Sequence, residues 1–112
     1  MIEVKPWGNY EILYQGPGYQ VKRVEVKAGL RLSLQKHSKR SEKWTIVGGT
    51  GLAVLGTESL PIEIGSSLRI PAGMLHRIHN TGNEPLVFIE VQFGKYLGED
   101  DIVRVEDDFN RA

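Results

Sequence analysis

Gly65-Ser66-Ser67-Leu68-Arg69-Ile70-Pro71-Ala72-Gly73-Met74-Leu75-His76-Arg77-Ile78-His79-Asn80 is the stretch on which the fold of this chain turns. Its spacing is Gly65-x5-Pro71-x-Gly73-x2-His76-x3-Asn80. Leu68 and Ile70 read as a strand, Pro71-Ala72-Gly73 as a tight turn, and His76 as the first residue of the next strand. Proline fixes φ and glycine accepts positive φ, so the turn holds His76 rigidly at a strand start. The plainer reading of the same residues is a hairpin with an incidental histidine.

Outward from this stretch the chain is strand after strand. Tyr10-Glu11-Ile12-Leu13-Tyr14 lies between Pro6-Trp7-Gly8 and Gln15-Gly16-Pro17-Gly18. Residues 19–26 end at Ala28-Gly29, and Leu30, Leu32 and Leu34 alternate with Arg31, Ser33 and Gln35 at a period of two. Residues 44–47, Gly48-Gly49-Thr50-Gly51 and residues 52–55 read as a hairpin. Residues 86–93 form the longest β-favouring run. The acidic tail, residues 96–111, suits a short helix or a strand. Before Gly94 no long window keeps a helical period. Short strands with close turn signals and no α/β alternation predict an all-β antiparallel sandwich, with residues 1–112 as one domain.

Composition bounds the function. The 112 residues carry 14 basic and 14 acidic side chains, a formal net charge of zero, which gives no electrostatic footprint for nucleic acid or an anionic membrane. The absence of cysteine removes disulfides, thiolate ligands and thiol nucleophiles, so a metal must be held by His, carboxylate or amide groups. The N-terminus lacks a signal-peptide pattern and no apolar run approaches a membrane span, which makes the cytoplasm the expected compartment.

The spacing around His76 matches the second motif of the cupins at every fixed position, and the first motif is sought upstream. There Gly29 leads to Gln35-Lys36-His37-Ser38-Lys39-Arg40-Ser41-Glu42-Lys43-Trp44, with Gly49 beyond. Further blocks extend the likeness: Lys5-Pro6-Trp7-Gly8-Asn9-Tyr10, Val21-Lys22-Arg23-Val24, Ile89-Glu90-Val91-Gln92 and Tyr96-Leu97-Gly98-Glu99-Asp100-Asp101-Ile102-Val103-Arg104. From about Lys5 to Arg111 the chain resembles the type II mannose-6-phosphate isomerase domain, which in that family usually follows a mannose-1-phosphate guanylyltransferase domain. The resemblance implies a cupin jelly roll (double-stranded β-helix) serving GDP-mannose and polysaccharide synthesis.

What the resemblance implies for the site is specific. His37, Glu42 and His76 are the expected ligands of a divalent metal such as zinc, with Gln35 as a weak oxygen donor. Family members commonly read His where this chain has Lys39 and Lys43, so metal is expected to bind weakly or not at all. Alternation puts Ser33, Gln35, His37 and Lys39 on one face, looking into the site, with Leu30, Leu32 and Leu34 packed outside it. Lys39 is thereby expected inside the metal pocket, where its ammonium would act as a built-in electrophile paired with Glu42. Glu90, in phase with Phe88 and Gln92, is either the catalytic base or an exposed carboxylate. Lys22 and Arg23 lie where alternation breaks, so a bulge could aim one of them at a phosphate. Arg77 is included only for its likeness to the family's His-Arg pair, and Gln92 as a substrate contact. Trp7, Trp44 and Phe93 read as core, and the acidic tail as structural.

Two readings follow. The first is an isomerase interconverting mannose 6-phosphate and fructose 6-phosphate. The second is a non-catalytic cupin that binds a sugar phosphate or nucleotide sugar and regulates a guanylyltransferase. An epimerase or oxygenase cupin is a third and poorer match. The leucine row suggests a homodimer.

Overall fold

A computed structural model describes residues 2–111. Its regular elements, among the described residues, are all strands: β1 (Ile2–Lys5), β2 (Gly8–Gly16), β3 (Tyr19–Val26), β4 (Leu34–Lys36), β5 (Arg40–Gly48), β6 (Gly51–Leu55), β7 (Glu58–Ile62), β8 (Ser67–Ile70), β9 (His76–His79), β10 (Leu86–Gly94) and β11 (Val103–Glu106). They form two antiparallel sheets, ordered β1-β2-β3-β10-β5-β8 and β11-β4-β9-β6-β7. This is the expected jelly-roll sandwich. The tail resolves to a strand, β11, paired with β4. No helix is long and apolar enough to cross a membrane, among the described residues.

Three neighbouring strands explain where the core ends and the polar pocket begins. On β10 the inward residues run Leu86, Phe88, Glu90, Gln92; on β3 they run Val26, Val24, Lys22, Gln20; on β5, Ile46, Trp44, Glu42, Arg40. Register aligns them, with Glu90 opposite both Lys22 and Trp44, and Gln92 opposite both Gln20 and Glu42. Each strand therefore changes from apolar to polar at about the same level. One end of the sandwich is dry, closed from the facing sheet by Ala53, Ile62 and Ile78. The other end is lined with buried polar groups, which are tolerated only if they find partners.

The turns set this geometry. Gly73 takes φ 86°, and its amide donates to the His37 carbonyl at 2.7 Å, tying the two histidine-bearing segments together. Asn80 is fully buried; its amide donates to the Val26 and Glu84 carbonyls and its oxygen accepts from Gly82 N–H. Gly73 thus ties the histidine-bearing segments at the polar end, while Asn80 joins the two sheets at the apolar end.

Several expectations need correction. Residues 44–55 are not a hairpin, because β5 and β6 lie in different sheets. Gly49, at φ 79°, takes the chain across; a Cβ there would meet the Pro85 carbonyl oxygen at 2.6 Å. Leu32 belongs to the core and Leu30 packs against it, because the chain before β4 is irregular apart from one bridge and alternation does not run through it. The outer leucine row that suggested a homodimer does not exist. Phe93 is half-buried on the outer face of β10, out of phase with Gln92.

Candidate active site

The polar end of the sandwich encloses a cavity whose wall includes Lys22, Gln35, His37, Arg40, Glu90 and Gln92. His37, Glu42 and His76 converge behind it. One ligand atom from each lies within 4.8 Å of the others, and all three residues are buried. His37 Nε2 is 3.3 Å from Glu42 Oε2, and His76 Nε2 is 3.7 Å from Glu42 Oε1.

Hydrogen bonds fix both imidazoles. His37 Nδ1 faces the Asp101 carbonyl at 2.7 Å and His76 Nδ1 faces the Met74 carbonyl at 2.9 Å. A carbonyl only accepts, so each Nδ1 carries the proton and each Nε2 presents a lone pair toward Glu42. Burial, and then the Arg40 charge, lower the His37 pKa to about 4, and burial likewise lowers that of His76. Both rings are neutral at neutral pH. His76 Nε2 is buried with no hydrogen-bond partner. Two neutral imidazole nitrogens and a carboxylate, one nitrogen orphaned, form a donor set that fits a divalent ion.

A cation from the chain already leans on that set. Arg40, only 5% exposed, donates from Nε to Glu42 Oε2 at 2.9 Å and places Nη2 3.2 Å from His37 Nε2. Lys39 does not enter the cavity; it is exposed, with its ammonium 5.1 Å from the Tyr96 ring centroid. The reason is a bend at Ser38–Lys39, where the Asp101 carboxylate accepts from both backbone amides and from the Ser38 hydroxyl. The bend resets the alternation, so Arg40 and Glu42 point inward in place of Lys39. Lys43 is exposed on the opposite face from Glu42. Neither lysine lies inside the cavity or beside the His37, Glu42 and His76 donor set.

The carboxyl of Glu90 is the other chemically loaded group. Its Oε2 accepts the Trp44 indole N–H at 3.0 Å, a hydrogen that Trp44 also directs at Glu42 Oε1, 3.1 Å away. Its Oε1 accepts from Gln92 at 2.7 Å, and Gln92 in turn accepts from Gln20 at 2.6 Å. Burial, followed by the negative charge of Glu42, pushes the Glu90 pKa up to about 8.

Lys22 points inward and is 3% exposed, its ammonium 4.2 Å from the Tyr10 ring centroid. The bulge expected near it exists, but on β2 between Ile12 and Tyr14. Arg23 faces outward and pairs with Glu25, so it is not a pocket residue. Arg77 is also removed from the pocket: it donates to the Leu32 carbonyl and to Glu106, pinning the tail to the second sheet from the face opposite His76. Gln35 lines the cavity and pairs in register with His76.

Glu99 is a residue the sequence reading passed over. It bridges Lys22 at 2.7 Å and Arg40 at 3.1 Å across the cavity mouth, and these cations outweigh the effect of burial to hold its pKa at about 2. The tail block is therefore part of the site.

The family described as "Mannose-6-phosphate isomerase C-terminal" matches residues 2–107. The chain belongs to that family. Within it, the chain is 50% identical over 108 residues to the xanthan biosynthesis protein XanB of Xanthomonas campestris pv. campestris, covering 96% of this chain and 23% of that protein. It is 44% identical over 108 residues to the mannose-1-phosphate guanylyltransferase ManC of Salmonella typhimurium, covering 96% and 22%. The mannose-6-phosphate isomerase C-terminal domain thus spans under a quarter of the length of these relatives. Among solved structures, the capsular polysaccharide assembling protein CapF of Staphylococcus aureus superposes with a TM-score of 0.80 at 21% identity, over 95% of this chain and 34% of that one. A Klebsiella pneumoniae protein with a double-stranded β-helix domain superposes at 0.74 and 18%, over 86% and 82%. These two likenesses establish the cupin fold.

Proposed function

We propose that this domain is an aldose–ketose isomerase acting on mannose 6-phosphate and fructose 6-phosphate, in the supply of activated mannose for polysaccharide synthesis. The observation that carries the reading is the convergence, around one cavity, of the buried Glu90 carboxyl, a donor triad of two imidazoles and a carboxylate, and two buried cations. In the open-chain sugar, the Glu90 carboxylate takes the proton from C2 and returns it to C1, while a hydroxyl proton passes from O2 to O1. The charge that develops on the oxygens needs an electrophile. A divalent ion held by His37, Glu42 and His76 would supply Lewis-acid polarisation, and the buried Arg40 guanidinium adds positive charge to the side of that donor set facing the cavity. Trp44 and Gln92 orient the Glu90 carboxyl, and the apolar end of the sandwich keeps its surroundings dry.

The test is a coupled isomerase assay on metal-stripped and metal-reconstituted protein, with a Glu90→Gln variant beside it. Activity restored by a divalent ion and abolished by Glu90→Gln is expected; reconstituted protein without activity would refute the reading.

One observation favours a second reading. Arg40 already satisfies Glu42 and faces His37 Nε2, so the triad has an internal cation. On this view the domain is a non-catalytic module that binds a sugar phosphate or nucleotide sugar and regulates a guanylyltransferase. Tight sugar-phosphate binding by protein that fails to isomerise would support it.

A further inference from the structure

The cavity mouth holds more positive charge than its own carboxylates balance. Lys22 and Arg40 are both almost wholly buried, yet the group that joins them, the Glu99 side chain, is half-exposed. Arg104 also lines the cavity, and its Nε is buried with no hydrogen-bond partner. A buried cation stripped of its partner is costly; Arg40 keeps Glu42 beside it, but Glu99 supplies the one carboxylate bonded to the Lys22 ammonium. Glu99 fills that place in the way a ligand would, one oxygen on the ammonium and one on the guanidinium. It is carried by the segment between β10 and β11, which is separately clasped through Asp101 to Ser38 and Lys39. The Glu99 side chain can therefore turn away while the segment stays in place.

We infer that Lys22 and Arg40 form the subsite for a phosphate monoester, with Glu99 as a built-in occupant that the phosphate displaces. The inference rests on the sugar-phosphate reading and deepens it by naming where the phosphate sits. A monoester dianion offers three terminal oxygens and more charge than one carboxylate. It can replace both Glu99 contacts, and Arg104 on the same cavity wall adds a further positive charge. The displaced carboxylate goes to solvent, to which it is already half-open. An empty site thus keeps its cations neutralised, and occupancy is a competition between two anions.

Inorganic phosphate, titrated calorimetrically into the metal-free full chain, tests this without reference to catalysis. Glu99→Gln keeps the shape and removes the charge, so phosphate should bind about tenfold more tightly, and adding Lys22→Met should abolish the gain. Mannose 6-phosphate should gain as much as phosphate does, whereas GDP-mannose, with only an internal diphosphate, should gain little. In the unaltered protein, saturating phosphate should shift the amide resonances of Gly98, Glu99 and Asp100 and leave those of Ser38 and Lys39 in place. Unchanged or weaker phosphate binding in both Glu99→Gln and Glu99→Ala would overturn the inference, as would an unmoved Glu99 amide at saturation. An equal gain for GDP-mannose would overturn the monoester assignment. If the protein isomerises while Glu99→Gln leaves phosphate affinity unchanged, the subsite fails and the isomerase stands. If phosphate behaves as expected and nothing isomerises, the converse holds.

Discussion

Arg40 Nη2 stands 3.2 Å from His37 Nε2, the lone pair of one imidazole being turned toward a guanidinium. The same guanidinium bonds Glu42, so one side chain engages two of the three donors in the triad. A divalent ion must displace Arg40 or share the site with its charge. Arg40→Met should therefore raise zinc affinity by about tenfold, equivalent to about 1.4 kcal/mol. Lys39→His, which changes an exposed side chain, should leave it within about twofold. Competition against a chromophoric chelator measures both; a large gain from Lys39→His would show that residue 39 reaches the pocket after all.

Glu90 has the buried position, the oriented hydrogen bonds and the raised pKa of a proton-transfer group. Glu90→Gln should lower kcat by about 10²–10⁴-fold, the usual range for losing a general base. Sugar-phosphate affinity should change far less, since the carboxyl is held by Trp44 and Gln92 while Lys22 and Arg40 bond Glu99. Parallel kinetics and calorimetry separate the two effects. With base action from the ionised form, kcat/KM should rise with pH and level off above about 8.

The same carboxyl makes stability depend on pH. In the unfolded chain Glu90 ionises near 4.5, whereas the folded protein keeps it protonated to about 8. Between those values the folded state binds the extra proton, so this group's contribution to stability falls as pH rises and is flat above about 8. His37 works in the opposite sense: its folded pKa of about 4 lies below 6.5, and its contribution is lost as pH falls from 6.5 through 4. Both proteins keep His37, so the melting temperature of the unaltered protein minus that of Glu90→Gln should decline from pH 5 to pH 8. A difference that is constant over this range would contradict the burial of an uncharged Glu90.

How far the chain could be read in advance depended on whether neighbours in sequence were neighbours in the fold. The Gly65–Asn80 spacing gave the turn, the placement of His76 and the jelly roll, because its constraints are local. The strand around Glu90 was also legible, since regular alternation runs unbroken from Leu86 to Gln92. Lys39 was misplaced because that alternation was extended through the Ser38–Lys39 bend, which Asp101 clasps from far along the chain. Arg40 and Glu99 were missed for a related reason: their meaning comes from each other, 59 residues apart. The apolar-to-polar switch shared by β3, β5 and β10 was present in each strand, but only their register makes it one pocket.

Asn80 shows the structural side of the motif. Its three hydrogen bonds join β3, the loop before β10 and its own turn in the buried interior. Asn80→Ala leaves two carbonyls and an amide without this partner and should cost about 1–3 kcal/mol in urea unfolding, with the m-value unchanged. Full stability in the variant would contradict the role given to Asn80.

On the proposed reading, Glu90 is the base that moves a proton between C1 and C2 of a hexose phosphate in this cavity. The most direct measurement is NMR observation of mannose 6-phosphate incubated with metal-reconstituted protein, unaltered and Glu90→Gln, after both are shown to be folded. Fructose 6-phosphate should accumulate to equilibrium with the unaltered protein, with only background conversion by Glu90→Gln. Background conversion with both, or equal conversion by both, would contradict it.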